Sequence, residues 1–227
     1  MRKLSMMDGT EILDIPLPDD DAFTKFILHY KQLMALYESA IRCVAMRLNI
    51  MEKEADTNGK HNPIRSISSR IKQPLSINRK LRNRGMPLTT KSIMENLHDV
   101  AGARIICEYL SDVYNVWDNL LADGFMELLR EKDYIKTPKP NGYRSLHLIV
   151  AVPVLFQTGI QKVICELQLR TTAMDTWAAL EHSLRYKKDR PCGPEIDREL
   201  LECADMLSET DVKMQRIANQ LLFTEEE

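Results

Sequence analysis

The residues best suited to chemistry lie in two short stretches, Asn141-Gly-Tyr-Arg-Ser-Leu-His147 and Glu166-Leu-Gln-Leu-Arg-Thr171. They supply an aromatic ring, an imidazole, a carboxylate, amides and two guanidinium groups on what reads as two consecutive strands. The glycine before Tyr143 lets the backbone bend and present an exposed ring to a planar ligand. In the second stretch Glu166, Gln168 and Arg170 alternate with Cys165, Leu167 and Leu169. One face therefore joins a core and the other is a polar row. A polar row on an inner strand needs a ligand, a metal or a neighbouring charge to satisfy it. The plain alternative is a strand with one solvated face.

Charge is segregated in a way that bears on the ligand. No acidic residue lies between Thr57 and Met94, but nine basic ones do: Lys60, Arg65, Arg70, Lys72, Arg79, Lys80, Arg82, Arg84 and Lys91. Of 31 basic and 33 acidic residues in all, 22 and 33 remain elsewhere. A basic block inside an otherwise acidic chain implies a local polyanion site, with a phosphate-bearing ligand, and not general adhesion to nucleic acid. A solvated basic face is the alternative, although surfaces usually intersperse both signs.

These groups need elements to hold them. Residues 1–18 read as a flexible leader and 19–58 as an N-terminal helix, capped by Asp19-Asp-Asp21 and running to about Met51. Phe23, Phe26, Ile27, Tyr30, Leu33, Met34, Tyr37, Ile41, Val44 and Leu48 give it a packing stripe. A strand from Ile64 to Lys72 stops at Pro74, and Ser76 caps a cationic helix that Gly85 closes. Thr89 or Thr90 starts a helix reaching Val100, and Ala101-Gly102 permits a tight turn into a strand over 103–110. A helix follows from Ser111 to Gly124, then a strand over 125–130. A proline-punctuated loop leads into a strand over 143–154, a hairpin turn at Thr158-Gly159 and a return strand over 161–170. The spacing predicts helices over 172–186 and from about Glu195 to Leu222. The result is an α+β domain, a mixed sheet of about five strands flanked by helices, with a core over 59–190 and a C-terminal helix over 191–227. Strand order does not follow from the pattern.

Composition narrows the class further. The chain of 227 residues is 44% hydrophobic and 28% charged, ordinary for a soluble globular protein. No apolar run is long enough to cross a bilayer, and the N-terminus lacks a signal-peptide core, so the chain reads as cytoplasmic and not membrane-bound. Cys43, Cys107, Cys165, Cys192 and Cys203 are odd in number and widely spaced, which suits neither a disulfide framework nor zinc. Cys107 and Cys165 read as buried small side chains.

Asp99 before one strand and Glu166 on another could hold Mg²⁺, with phosphate oxygens completing its shell. Ordinary ion pairs to arginine are the alternative. With these residues in view, the chain resembles the RelA/SpoT family of (p)ppGpp synthetases, and the small single-domain alarmone synthetases within it. The resemblance spans about His61 to Lys187. It rests on Ser69-Arg-Ile-Lys72, Asp99-Val-Ala-Gly-Ala-Arg104, Asp133-Tyr-Ile135 and the two opening stretches. Met174, Trp177 and Glu181-His-Ser-Leu184 extend it.

The resemblance implies a nucleotidyltransferase-like fold and transfer of pyrophosphate from ATP to the 3′-hydroxyl of GDP or GTP, releasing AMP. It implies that Arg70 and Arg104 sandwich adenine, as guanidinium planes can. Lys72 and Lys80 would neutralise the ATP phosphates, with Ser76 donating beside them. Asp99 and Glu166 would be the catalytic Mg²⁺ pair, Glu166 also being placed to accept the hydroxyl proton. Tyr143 would stack on guanine, with Lys139, Asn141, His147 and Gln168 around the acceptor. The resemblance also implies a homotetramer through the terminal helices, with (p)ppGpp or RNA as possible regulators.

The sequence departs from the family pattern in places. Its histidines, His29, His61, His98, His147 and His182, do not supply the metal set of the hydrolase found in long members. Glu38, Arg42 and Ala45 stand on the first helix where a more basic face is expected, and Asp175 where asparagine is usual. Two other functions compete. One is an RNA-binding or interaction module using the basic block; the other is a transferase moving a nucleotidyl group.

Overall fold

In a computed structural model, which describes residues 21–122, 124–156, 159–186 and 193–222, the described residues form one five-stranded sheet and six helices. Helix α1 (Asp21–Thr57) leads into strand β1 (Ile64–Ile71), and helices α2 (Pro74–Asn83) and α3 (Thr90–Asn96) precede β2 (Ala101–Cys107). Helix α4 (Leu110–Ala122) is followed by β3 (Glu127–Asp133), β4 (Leu146–Phe156) and β5 (Gly159–Thr171), then by α5 (Thr172–Tyr186) and α6 (Pro194–Leu221). The expected α+β class and strand number are borne out. The leader, Asp19 and Asp20 of the predicted cap, and Thr158 of the predicted turn lie outside the described residues.

The strand order is β1-β2-β5-β4-β3. Only β2 and β5 run parallel; the other neighbours are antiparallel. Alternation sorts the sheet into two faces. Ala101, Ala103 and Ile105 of β2, Leu146, Leu148 and Val150 of β4, and Cys165, Leu167 and Leu169 of β5 are buried in the core. Leu33, Tyr37, Ala40, Ile41, Val44 and Leu48 join them as a helical stripe of α1, so packing of one apolar face anchors this long helix. At its N-terminal end, however, Phe26 and Ile27 are exposed.

Register places the polar faces in two rungs across the sheet. Arg70 lies opposite Gly102, Gly102 beside Glu166, and Glu166 beside Ile149, which faces Arg130. The next rung runs Ser68, Arg104, Gln168, His147 and Lys132. Residues distant in sequence thus share one surface because a strand's side chains repeat every two residues.

Several boundaries differ from expectation. Helix α1 continues to Thr57, and Gly59 just beyond it closes the turn with a φ of +62°, the left-handed conformation glycine tolerates. Ser76 is not a cap: α2 starts at Pro74 with Gln73 before it, and the Ser76 amide donates to the Gln73 carbonyl. Proline's fixed φ suits a first helical turn, so it opens this helix as well as ending the strand. Thr89 does cap α3, accepting from the Ser92 amide. That helix stops at Asn96, and Leu97 and Val100 are each buried completely. Ala101-Gly102 is therefore strand, not turn. Strand β3 extends to Asp133 by pairing with β4, despite its charged residues, as an edge strand allows. Tyr143 precedes β4, which begins at Leu146.

Candidate active site

Asp99 sits in the short connection between α3 and β2, held by the burial of Leu97 and Val100 on either side of the His98-Asp99 pair. Its Oδ2 accepts from Lys72 Nζ at 2.6 Å and from Lys80 Nζ at 2.7 Å. Burial pushes the Asp99 carboxyl up, but the hydrogen bonds and charges of both lysines outweigh it and hold the group below the usual range. Its Oδ1 is buried with no hydrogen-bond partner among the described residues.

Glu166 projects from the middle of β5. Its Oε1 lies 3.1 Å from His147 Nδ1, and Gln168 Nε2 donates to Oε2 at 3.3 Å. Burial raises this carboxyl, the neighbouring Asp99 charge also raises it, and His147 and Gln168 more than offset both, so it too falls below the usual range. Two ionised carboxylates therefore face one cleft of about 400 Å³, whose walls include Lys80, Arg84, Arg130, Lys132, Lys139 and His147. The arrangement can hold a divalent cation between carboxylates while surrounding cations neutralise phosphate. The orphaned Asp99 Oδ1 supplies a free anionic oxygen of the type such an ion takes.

Beside the cleft lies an aromatic cluster. Tyr143 OH is 2.7 Å from His147 Nε2, and Tyr134 meets both rings edge-on, with centroids 6.1 and 5.3 Å away. Lys139 Nζ lies 4.7 Å from the centroids of both tyrosine rings. Tyr143 is half-buried, not exposed as expected, because Arg170 packs 5.0 Å from its ring centroid and donates to its hydroxyl.

The Tyr143 loop is fastened from behind. Gly142 has φ +87°, and a Cβ there would lie 2.5 Å from Ala204 Cβ. Glycine is required because α6 crosses at this point, a reason beyond the bend read from sequence. Arg144 donates to the Gly142 carbonyl at 3.1 Å and pairs with Asp205 of α6 at 3.0 Å.

The sequence-predicted residues fall into groups. Lys80, Asp99, Lys139, His147 and Glu166 line the cleft, and Lys72 reaches it through Asp99. Arg104, Gln168 and Tyr143 form the neighbouring cluster, with Arg70 one rung away on the edge strand. Asn141 turns toward α5, donating to Glu181 at 3.3 Å, while its Oδ1 accepts from the Tyr143 amide. Ser76 is not among the cleft residues. Arg130 and Lys132 were missed. Their alternation on β3 was the available signal, but the expected strand ended before Lys132.

The chain is similar to known proteins over most of its length. Residues 69–191 match the model of the region found in RelA/SpoT proteins. GTP pyrophosphokinase YwaC of Bacillus subtilis is 38% identical over 209 residues, spanning 92% of this chain and 100% of that protein. The structure of small alarmone synthetase 1 from Bacillus subtilis, bound to its product pppGpp, superposes with a TM-score of 0.77 at 30% identity. That match covers 85% of this chain and 98% of the other. Small alarmone synthetase 2 from the same organism gives 0.74 at 39% identity, covering 82% and 97%.

Proposed function

As the chain belongs to the RelA/SpoT family of GTP pyrophosphokinases, we propose that it transfers pyrophosphate from ATP to the 3′-hydroxyl of GDP or GTP. The observation that carries this is the pairing of Asp99 and Glu166 in one cleft ringed by cations, next to an aromatic platform. In the proposed step the 3′-oxygen attacks the β-phosphorus, the bond from that phosphorus to the α–β bridging oxygen breaks, and AMP leaves. Such a transfer depends on in-line placement and charge neutralisation more than on covalent help from the protein.

Asp99 and Glu166 are the residues to hold Mg²⁺, which when bound neutralises and orients phosphate oxygens. Glu166, kept ionised by His147, takes the hydroxyl proton in this reading. Lys72 and Lys80 exchange Asp99 for triphosphate oxygens, while Lys139, Arg130 and Lys132 neutralise the acceptor's phosphates. Arg70 and Arg104 take the adenine and Tyr143 the guanine, with Asn141 fixing the loop and His147 and Gln168 fixing Glu166. Ser76 retains only its expected role beside the ATP phosphates. Hydrolysis of the product is not part of the reading: His98-Asp99 resembles a hydrolase pair, but Asp99 is already assigned to the synthetase site, beside Lys72 and Lys80. Assembly through the terminal helices is supported by exposed Met206, Val212 and Leu221 on α6.

The test uses ATP labelled at the γ-phosphate, with Mg²⁺ and GDP or GTP, followed by chromatography. A more highly phosphorylated guanosine with equimolar AMP is expected, and Glu166→Gln abolishes it. Retention of RNA at low salt without product would replace this reading with the binding-module one.

A further inference from the structure

Arg170 is 4% exposed and its guanidinium is enclosed by partners. One nitrogen donates to Asp175 Oδ1 at 3.0 Å; another donates to Gln168 Oε1 at 3.1 Å and to the Tyr143 hydroxyl. The same Asp175 oxygen lies 3.3 Å from Arg104 Nη1. One carboxylate oxygen, in the first turn of α5, thus serves two guanidinium groups that repel each other. On its far side the chain of contacts continues through Tyr143 to His147 at 2.7 Å and to Glu166 at 3.1 Å. The two ends differ. Arg170 is buried among its partners, whereas Arg104 is 40% exposed and its buried Nε has no hydrogen-bond partner among the described residues.

We propose that Asp175 is a positioning residue that couples the two nucleotide sites, so that an adenine stacked on Arg104 tightens binding of the guanine nucleotide at Tyr143. The proposal rests on the synthetase reading above. A purine on Arg104 restricts that guanidinium and holds Asp175 between two fixed cations. Arg170 and the Tyr143 ring are then ordered before guanine arrives, so the second nucleotide loses less freedom on binding. By linkage, GTP tightens the binding of the ATP analogue by the same factor.

The experiment is calorimetric titration of GTP into the protein with and without saturating α,β-methylene-ATP and Mg²⁺. The analogue is expected to lower the GTP Kd about fivefold or more, the lower range for coupled sites. Asp175→Asn, which keeps shape but removes charge, brings that ratio toward one, and Asp175→Glu restores part of it. In turnover Asp175→Asn raises the KM for GTP more than it lowers kcat. Tyr143→Phe breaks the contact chain from the other end and also lowers the ratio, which keeps the test decisive if Asp175→Asn unfolds. A wild-type ratio of one, or an unchanged ratio in the variants of a protein that does turn over, overturns the coupling alone. Absence of labelled product from the wild type overturns the synthetase reading and the coupling with it.

Discussion

Gly142→Ala tests whether α6 holds the Tyr143 loop in place. Two costs follow from the structure. An L-residue at φ +87° loses about 1–2 kcal/mol in a left-handed conformation. The added methyl also meets Ala204 Cβ at 2.5 Å and Leu201 Cδ1 at 3.1 Å. Leu201 can rotate, but Ala204 moves only with its helix, and overpacking of this kind costs about 1–3 kcal/mol. The sum is about 2–5 kcal/mol, a large part of the roughly 5–15 kcal/mol that stabilises a typical domain. Urea unfolding should show a lower midpoint at an unchanged slope. Any protein still folded should show a raised KM for GTP with the KM for ATP nearly unchanged. Ala204→Gly separates the two costs. Alone it destabilises by about 1 kcal/mol, as glycine does in a helix. In the Gly142→Ala background it removes the clash and recovers stability, giving a coupling of about 1–3 kcal/mol. A loss below about 0.5 kcal/mol in the single variant, or no coupling in the cycle, would refute the clamp.

Two further outcomes follow from the site. Tyr143→Phe keeps the ring but removes the hydroxyl shared by His147 and Arg170; kcat should fall at least about tenfold, since the roughly 1.5–3 kcal/mol of a charge-assisted hydrogen bond converts to about 10- to 160-fold, while Tyr143→Ala loses GTP binding as well. Equal kinetics for Tyr143→Phe and wild type would dismiss the contact chain. Asp99 sets an acid limit. Because its native pKa is depressed, its ion pairs contribute fully above the ordinary carboxylate range and are lost as pH falls through the native value. Asp99→Asn should therefore flatten the loss of stability with acid, measured by urea titration across the acid range; an unchanged slope would show that the lysines do not hold this carboxylate.

The elements that sequence made legible are those governed by short-range periodicity. The Glu166, Gln168, Arg170 alternation and the α1 stripe from Leu33 to Leu48 appear where expected, because one buried face determines each. Cys107 and Cys165 are buried, as read, and burial lifts the Cys165 thiol to about 12. The errors sit where tertiary pairing overrides local preference. Ala101-Gly102 has turn composition, yet β1 and β5 on either side make it strand. Lys132 belongs to a strand only because His147 lies opposite.

The site divides along the same line. The basic block, the two carboxylates and the family resemblance together brought out Asp99, Glu166, Lys72, Lys80 and Tyr143. What those residues do to one another depends on register, which spacing does not contain. The parallel pairing of β2 with β5 sets Arg104 beside Gln168, and the turn from β5 into α5 swings Asp175 back over Arg170. From sequence Asp175 was only a departure from a family pattern. In the folded chain its carboxylate is the shared counter-charge of Arg104 and Arg170. Replacing it with a neutral amide would leave two neighbouring guanidinium groups, one of them buried, without an anion between them. Its negative charge therefore has a local electrostatic role.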